Sequence, residues 1–245
     1  MFRKAGALVA PAFLSLEGIA ARQPSFPWHT AAGTAASRAV SGHNSLPPPL
    51  RLPTGEFAAY IFDCDGTLAD TMPTHYRAWR AALGVHAESF PEAMFYELGG
   101  VPTSKIVEIL NERHGFDLPV EETVAEKEAI FLELSPEIAA IEPVVALARE
   151  FHGKKPLAVA SGGHRRIVMS TLRALGIADF FQAIVTAEDY RRGKPYPDPF
   201  LEAALRLGVP PEECLVFEDT ATGLAAAAAA GMQSVLVPPP IRVTA

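Results

Sequence analysis

The chain has 245 residues, 49% of them apolar, enough for one large domain or for a core with a smaller domain attached. Its formal net charge is −7, from 21 basic and 28 acidic residues, which speaks against a general nucleic-acid binder because such a protein needs a basic face. No window approaches about 18 uninterrupted apolar residues, so no transmembrane helix is expected, and the two cysteines, Cys64 and Cys214, sit in strand-like apolar runs and read as buried, reduced thiols.

Residues 1–55 differ from the rest. Arg3, Lys4, Arg22, Arg38 and Arg51 stand against a single acid, Glu17, a balance of +4 that leaves −11 for the remainder. The segment is rich in Ala, Ser and Pro, contains Pro47-Pro48-Pro49 and shows no sustained periodicity. It reads as a disordered extension or as a start codon assigned too far upstream, with a cytoplasmic protein following it. An Arg- and Ser-rich, acid-poor transit peptide is the alternative and implies an organelle.

From Phe57 the pattern becomes regular. Phe57–Phe62 is a short apolar strand-like run closed by Asp63 and Gly66. Comparable runs recur at Leu157–Ala160, Ala183–Thr186, Leu215–Phe217 and Ser234–Val237, separated by helical stretches at Arg165–Leu175, Pro199–Leu207 and Gly223–Ala230. Short apolar strands alternating with helices imply an α/β fold, a Rossmann-like parallel sheet with helices on both faces. The interval between residues 62 and 157 is too long for one crossover helix and reads as helices at Met72–Leu83, Pro91–Glu97, Thr103–Arg113, Glu121–Leu134 and Pro143–Phe151. The expected organisation is a catalytic core of residues 56–70 and 143–245, with an inserted α-helical cap at 71–142.

Four clusters of polar residues follow the strands. Asp63 and Asp65 end the first, at the sheet edge where open α/β folds bind ligands. One carboxylate can act as a nucleophile and the other as an acid/base. Ser161-Gly162-Gly163 ends the second run and leads into a helix, so a hydroxyl and free backbone N–H groups can cradle a phosphate, although an ordinary capped turn has the same composition. Lys194 stands in the proline-stiffened loop Lys194-Pro195-Tyr196-Pro197-Asp198-Pro199, which can fix one ammonium in space. Glu218-Asp219 closes the run Leu215-Val216-Phe217, and adjacent carboxylates there are hard oxygen ligands suited to Mg²⁺.

The order Asp-x-Asp, Ser, Lys, Glu-Asp resembles the four motifs of the haloacid dehalogenase superfamily across residues 57–237, the first being Phe62-Asp63-Cys64-Asp65-Gly66-Thr67-Leu68-Ala69-Asp70-Thr71. The stretch Thr71-Met72-Pro73-Thr74-His75-Tyr76-Arg77-Ala78-Trp79 is similar to the cap entry of the β-phosphoglucomutase-like branch. The resemblance implies an Mg²⁺-dependent enzyme. In it Asp63 is nucleophile and metal ligand, Asp65 is acid/base and a ligand through its carbonyl, and Asp219 and Glu218 complete the metal site. Thr67, Ser161, Gly162 and Lys194 would serve the phosphoryl group. It also matches His75 and Lys127 to cap positions used in closure and substrate contact, though Lys127 lies in a charged helix and reads equally well as surface decoration. His164 and Arg165 could contact a sugar phosphate or merely start a helix.

Mutases of this branch carry an arginine shortly after a Gly-Val in the cap. Here Gly99-Gly100-Val101-Pro102-Thr103 places Thr103 at that position, and Lys105 lies about 200° further around a helix. The Gly-x-Pro-Thr form looks more like the fructose-1-phosphate phosphatase type. The expectation is therefore a monomeric or weakly dimeric phosphatase of a small sugar phosphate, with β-phosphoglucomutase as the alternative. A silent binding module is the remote alternative, and it would show a damaged motif where none is found.

Overall fold

Alternation along the short strands decides which side of the sheet each residue serves. In the computed structural model, which describes residues 50–99 and 101–240, strands β1 (Ala59–Phe62), β4 (Leu157–Ala160), β5 (Ala183–Val185), β6 (Cys214–Glu218) and β7 (Gln233–Leu236) form one parallel sheet in the order β5-β4-β1-β6-β7. Tyr60, Phe62, Leu157, Val159, Leu215 and Phe217 face one side, where they pack with Val144, Val145 and Ala148 of α5 (Glu142–Phe151) and Val168 and Leu172 of α6 (Arg165–Ala174). Phe62 stacks on Phe217, ring centroids 4.7 Å apart. The opposite side carries the smaller Ala59, Ala158, Ala160, Cys214 and Val216. They admit Phe200, Ala203 and Ala204 of α7 (Asp198–Leu207) and the alanines Ala226 and Ala227 of α8 (Ala221–Ala229). The expected fold is thus observed, with strand and helix ends shifted by one or two residues, as end fraying allows. Both cysteines are buried and free.

The long interval after β1 holds α1 (Met72–Leu83), α2 (Glu92–Glu97), α3 (Thr103–His114) and α4 (Val120–Leu134). These helices have an apolar core of their own, built on Trp79, Leu83, Phe90, Phe95, Val107 and Leu110. The chain leaves and re-enters the sheet domain through a two-stranded antiparallel ribbon, β2 (Ala69–Asp70) against β3 (Ala139–Ala140). Its strands are too short to show a period, so no strand is expected there from the sequence. The extension expected at residues 1–55 falls, up to residue 49, outside the described residues. None of the described helices is long and apolar enough to cross a membrane.

Candidate active site

Because β1 is central, with β4 on one side and β6 on the other, the residues that follow these three strands meet at one sheet edge. Asp63 follows β1, Ser161 follows β4, and Glu218 ends β6 with Asp219 after it. Lys194 comes from the loop between β5 and α7, and its ammonium reaches Asp63 Oδ1 and Glu218 Oε2, both at 2.6 Å. Carboxylate oxygens of Asp63, Glu218 and Asp219 lie within 4.8 Å of one another. Three acids therefore face one ammonium. Burial, reinforced by Glu218, Asp219 and Asp65, raises the Asp63 carboxyl well above the usual range against the pull of Lys194. Asp219 is pushed up to about 6 by burial and by Glu218. Burial alone would lower the Lys194 ammonium, but Asp63 and Glu218 outweigh it and raise it. A surplus of converging hard oxygens is the donor set a small divalent cation takes, so these residues fit Mg²⁺.

Two glycines make the cluster possible. At Gly66 φ is +85°, and a Cβ would come within 2.2 Å of Asp219 Oδ2. At Gly223 a Cβ would sit 2.0 Å from Glu218 Cδ. Glu218 has no room to yield, because its Oε1 accepts from the Thr220 amide (3.0 Å) and hydroxyl (2.6 Å) while Oε2 holds Lys194. Thr67 donates to Asp219 Oδ1 at 3.1 Å, which fixes that carboxylate from the first loop. The Ser161 hydroxyl accepts from the Gly163 amide (3.1 Å), and the Ser161 carbonyl accepts from the Tyr190 hydroxyl (3.1 Å). Gly162, between them, is exposed at the loop surface.

Asp65 is approached from the helical insertion. His75 Nε2 lies 3.5 Å from Asp65 Oδ1, and His75 Nδ1 is 2.9 Å from the Lys127 ammonium. The imidazole stacks on Phe131, centroids 4.1 Å apart. Lys127 is 4% exposed, so its reading as surface decoration is excluded. Helix α4 presents it inward, with the Trp79 and Phe131 rings 5.8 and 5.6 Å from its ammonium. Burial works to raise Asp65, but His75, with Lys127 behind it, holds it below the usual carboxylate range. Burial and the Lys127 charge lower His75. Burial brings Lys127 down to about 8, against Asp65 and Glu128. Among the described residues, Asp65 Oδ1 and Thr71 Oγ1 are buried without a hydrogen-bond partner.

His164, just before α6, is held by a carboxylate of the insertion: its Nδ1 lies 2.6 Å from Glu128 Oε1. Arg165 turns away to Asp189 (2.5 Å) and the Ile184 carbonyl. Thr103 opens α3, and among the described residues no hydrogen bond or ion pair joins it to the sheet edge. Lys105 is exposed and paired with Glu108 at 2.7 Å. Sequence reasoning missed Thr220, Gly223, Tyr190 and Glu128. The one available signal was Gly223, an internal glycine that costs an alanine-rich helix about 1 kcal/mol and so calls for a packing reason.

Residues 57–231 match the family model of haloacid dehalogenase-like hydrolases, and the chain belongs to that family. It is 39% identical over 180 residues to fructose-1-phosphate phosphatase YqaB of Escherichia coli (strain K12), an overlap of 73% of this chain and 95% of that protein. The structure superposes on that of CbbY from Rhodobacter sphaeroides in complex with phosphate with a TM-score of 0.68 and 28% identity, over 74% of this chain and 86% of the other. It superposes on β-phosphoglucomutase from Clostridium difficile with a TM-score of 0.64 and 26% identity, over 73% and 83% of the two chains.

Gly223→Ala should lower stability by about 1–3 kcal/mol through overpacking against Glu218, where helix propensity alone would raise it by about 1 kcal/mol. Urea unfolding decides between the two signs. Lys127 gives a pH signature. The folded protein loses its proton near pH 8, the unfolded chain near the ordinary 10.5, so between these values the unfolded state binds more protons and stability rises with pH. Relative to Lys127→Met, the wild type should gain about 1 kcal/mol per pH unit between about pH 8 and 10. A difference that stays flat across that range would remove the buried ammonium from the account.

Proposed function

We propose that this chain is a phosphoric monoester hydrolase that releases phosphate from a small sugar phosphate through an aspartyl-phosphate intermediate. The observation that carries the reading is the buried Asp63 carboxylate, held by Lys194 at the C-terminal end of the central strand beside two further acids. Asp63, Asp219 and the Asp65 carbonyl would hold Mg²⁺. Bound there, the ion would offset the repulsion between the Asp63 carboxylate and a dianionic phosphate. Glu218 is better placed as the group that positions Lys194, because both of its oxygens are already engaged by Lys194 and Thr220.

In the first half-reaction an Asp63 oxygen bonds to phosphorus, and the bond to the sugar oxygen breaks. Asp65 gives that oxygen its proton. In the second half-reaction Asp65 takes a proton from water, whose oxygen attacks the phosphorus and returns Asp63 as a carboxylate. Held ionised by His75, Asp65 suits the second half. An adjacent dianionic phosphate raises its proton affinity for the first. Ser161, the Gly162 amide, Thr67 and Lys194 surround the position of the phosphoryl oxygens. The helical insertion acts as a cap, and its His75 and Lys127 bring Asp65 under its control.

Likeness to a β-phosphoglucomutase supports a second reading, transfer to a sugar hydroxyl rather than to water. Against it, Thr103 offers no charge to a second phosphate and Lys105 is engaged by Glu108.

Asp63→Asn should reduce phosphate release by a factor of at least about 10³ while leaving the far-ultraviolet circular dichroism unchanged. Retained turnover would refute the nucleophile. Chelation should stop release and added Mg²⁺ should restore it. Across a panel of hexose phosphates, net phosphate release without a glucose bisphosphate primer is expected. Primer-dependent interconversion of glucose phosphates without release would establish the mutase instead.

A further inference from the structure

Among the described residues, the mechanism leaves one buried acid unused. Glu128, 8% exposed, neighbours Lys127 on α4 and points across to the start of α6. There its Oε1 meets His164 Nδ1 at 2.6 Å and its Oε2 meets Arg166 Nη2 at 3.1 Å. These two side chains are themselves half or more exposed, at 50% and 59%. They stand beside the site: a Cβ at Gly163, one residue before His164, would lie 3.7 Å from Asp65 Oδ2 and 3.4 Å from Ser161 Oγ. The other cation of this turn, Arg165, is matched by Asp189.

We propose that Glu128 is a specificity-determining residue that occupies, as an internal carboxylate, the anion-binding capacity of His164 and Arg166, and so restricts the enzyme to substrates bearing a single phosphate. Because Gly163 at this turn adjoins Asp65, a sugar whose leaving oxygen faced Asp65 would pass beside it. An unmatched Arg166 guanidinium and a free His164 ring N–H there would grip a second anionic group on the sugar. With Glu128 in place, those groups are already engaged, and a second phosphate would have to displace a carboxylate to reach them. The same contact ties α4 to α6, and a purely structural tie would affect every substrate alike.

The inference rests on the proposed phosphatase reading, in which Asp65 faces the leaving oxygen. Its test is Glu128→Gln, which keeps the shape and removes the charge, assayed for phosphate release from fructose 1-phosphate and from fructose 1,6-bisphosphate. The ratio of kcat/KM for the bisphosphate to that for the monophosphate should rise about tenfold, mainly through KM, since one like-charge contact is exchanged for a freed cation. Adding Arg166→Gln should return the ratio to the wild-type value. An unchanged ratio, including an equal fall on both substrates, overturns the proposal and leaves Glu128 a tie between helices. If the wild type releases phosphate from neither sugar nor from any other hexose phosphate of the panel, the phosphatase reading falls. Calorimetric binding of the two sugars to wild type and variant then decides the selectivity question on its own, tighter binding of the bisphosphate alone supporting it and equal changes refuting it.

Discussion

A single ammonium, that of Lys194, holds together the acids on which the rest of the site depends. It lies between the central strand and its neighbour, 2.6 Å from Asp63 and from Glu218. Without it, carboxylates within 4.8 Å of one another would meet in a buried edge where repulsion is poorly screened. With it, the site still carries more negative than positive charge, which adds to burial in keeping Asp63 and Asp219 raised. That residual imbalance suits the site to a cation, and a cation bound there would in turn favour a phosphate. Glu218 can serve Lys194 because Thr220 pins its other oxygen and Gly223 leaves it space. A helix interior thus gives up a side chain so that a strand end can keep a charge.

The insertion reaches the site through two adjacent residues of α4. Neighbours on a helix point about 100° apart, so Lys127 and Glu128 address different partners. Lys127 meets His75 on α1, and His75 meets Asp65. Glu128 meets His164 and Arg166 at α6. One helix therefore reaches the proposed acid/base through His75 and touches the turn beside it directly. Lys127 tolerates burial because aromatic faces and nearby acids surround it, at the cost of a proton affinity lowered to about 8.

The sheet could be read from the sequence because its central parallel strands are fully buried, short apolar runs, and β1, β4 and β6 each end in or lead into a polar residue at the same edge. Asp63, Ser161 and Glu218 are therefore visible one at a time, and their meeting follows once the strands are taken as parallel. Lys194 is visible through its prolines, but its partners are not, since contacts across loops have no period. Lys127 and Glu128 show the limit most clearly. In the sequence they belong to a run of charges indistinguishable from a solvated helix face. Only the packing of α4 against α1 and α6 separates Lys127 and Glu128 from residues such as Glu122, which stays exposed. The β2–β3 ribbon is equally silent, because two residues per strand carry no pattern.

The choice of acceptor, water or a sugar hydroxyl, comes down to how many anions the site can hold. A mutase must bind a bisphosphate in both orientations, so it needs two anion sites of comparable strength. The sheet edge supplies one, through Lys194 and the proposed metal. At the turn beside Asp65 the basic groups are already engaged from within the chain, His164 and Arg166 by Glu128 and Arg165 by Asp189, and in the insertion Lys105 is paired with Glu108. A phosphate placed there would have to displace a carboxylate before it gained a cation. On that charge inventory the proposed phosphatase would take a sugar with one phosphate in one orientation, with its uncharged end toward the insertion. Once the dephosphorylated sugar departs, water is the acceptor that remains within reach of Asp65.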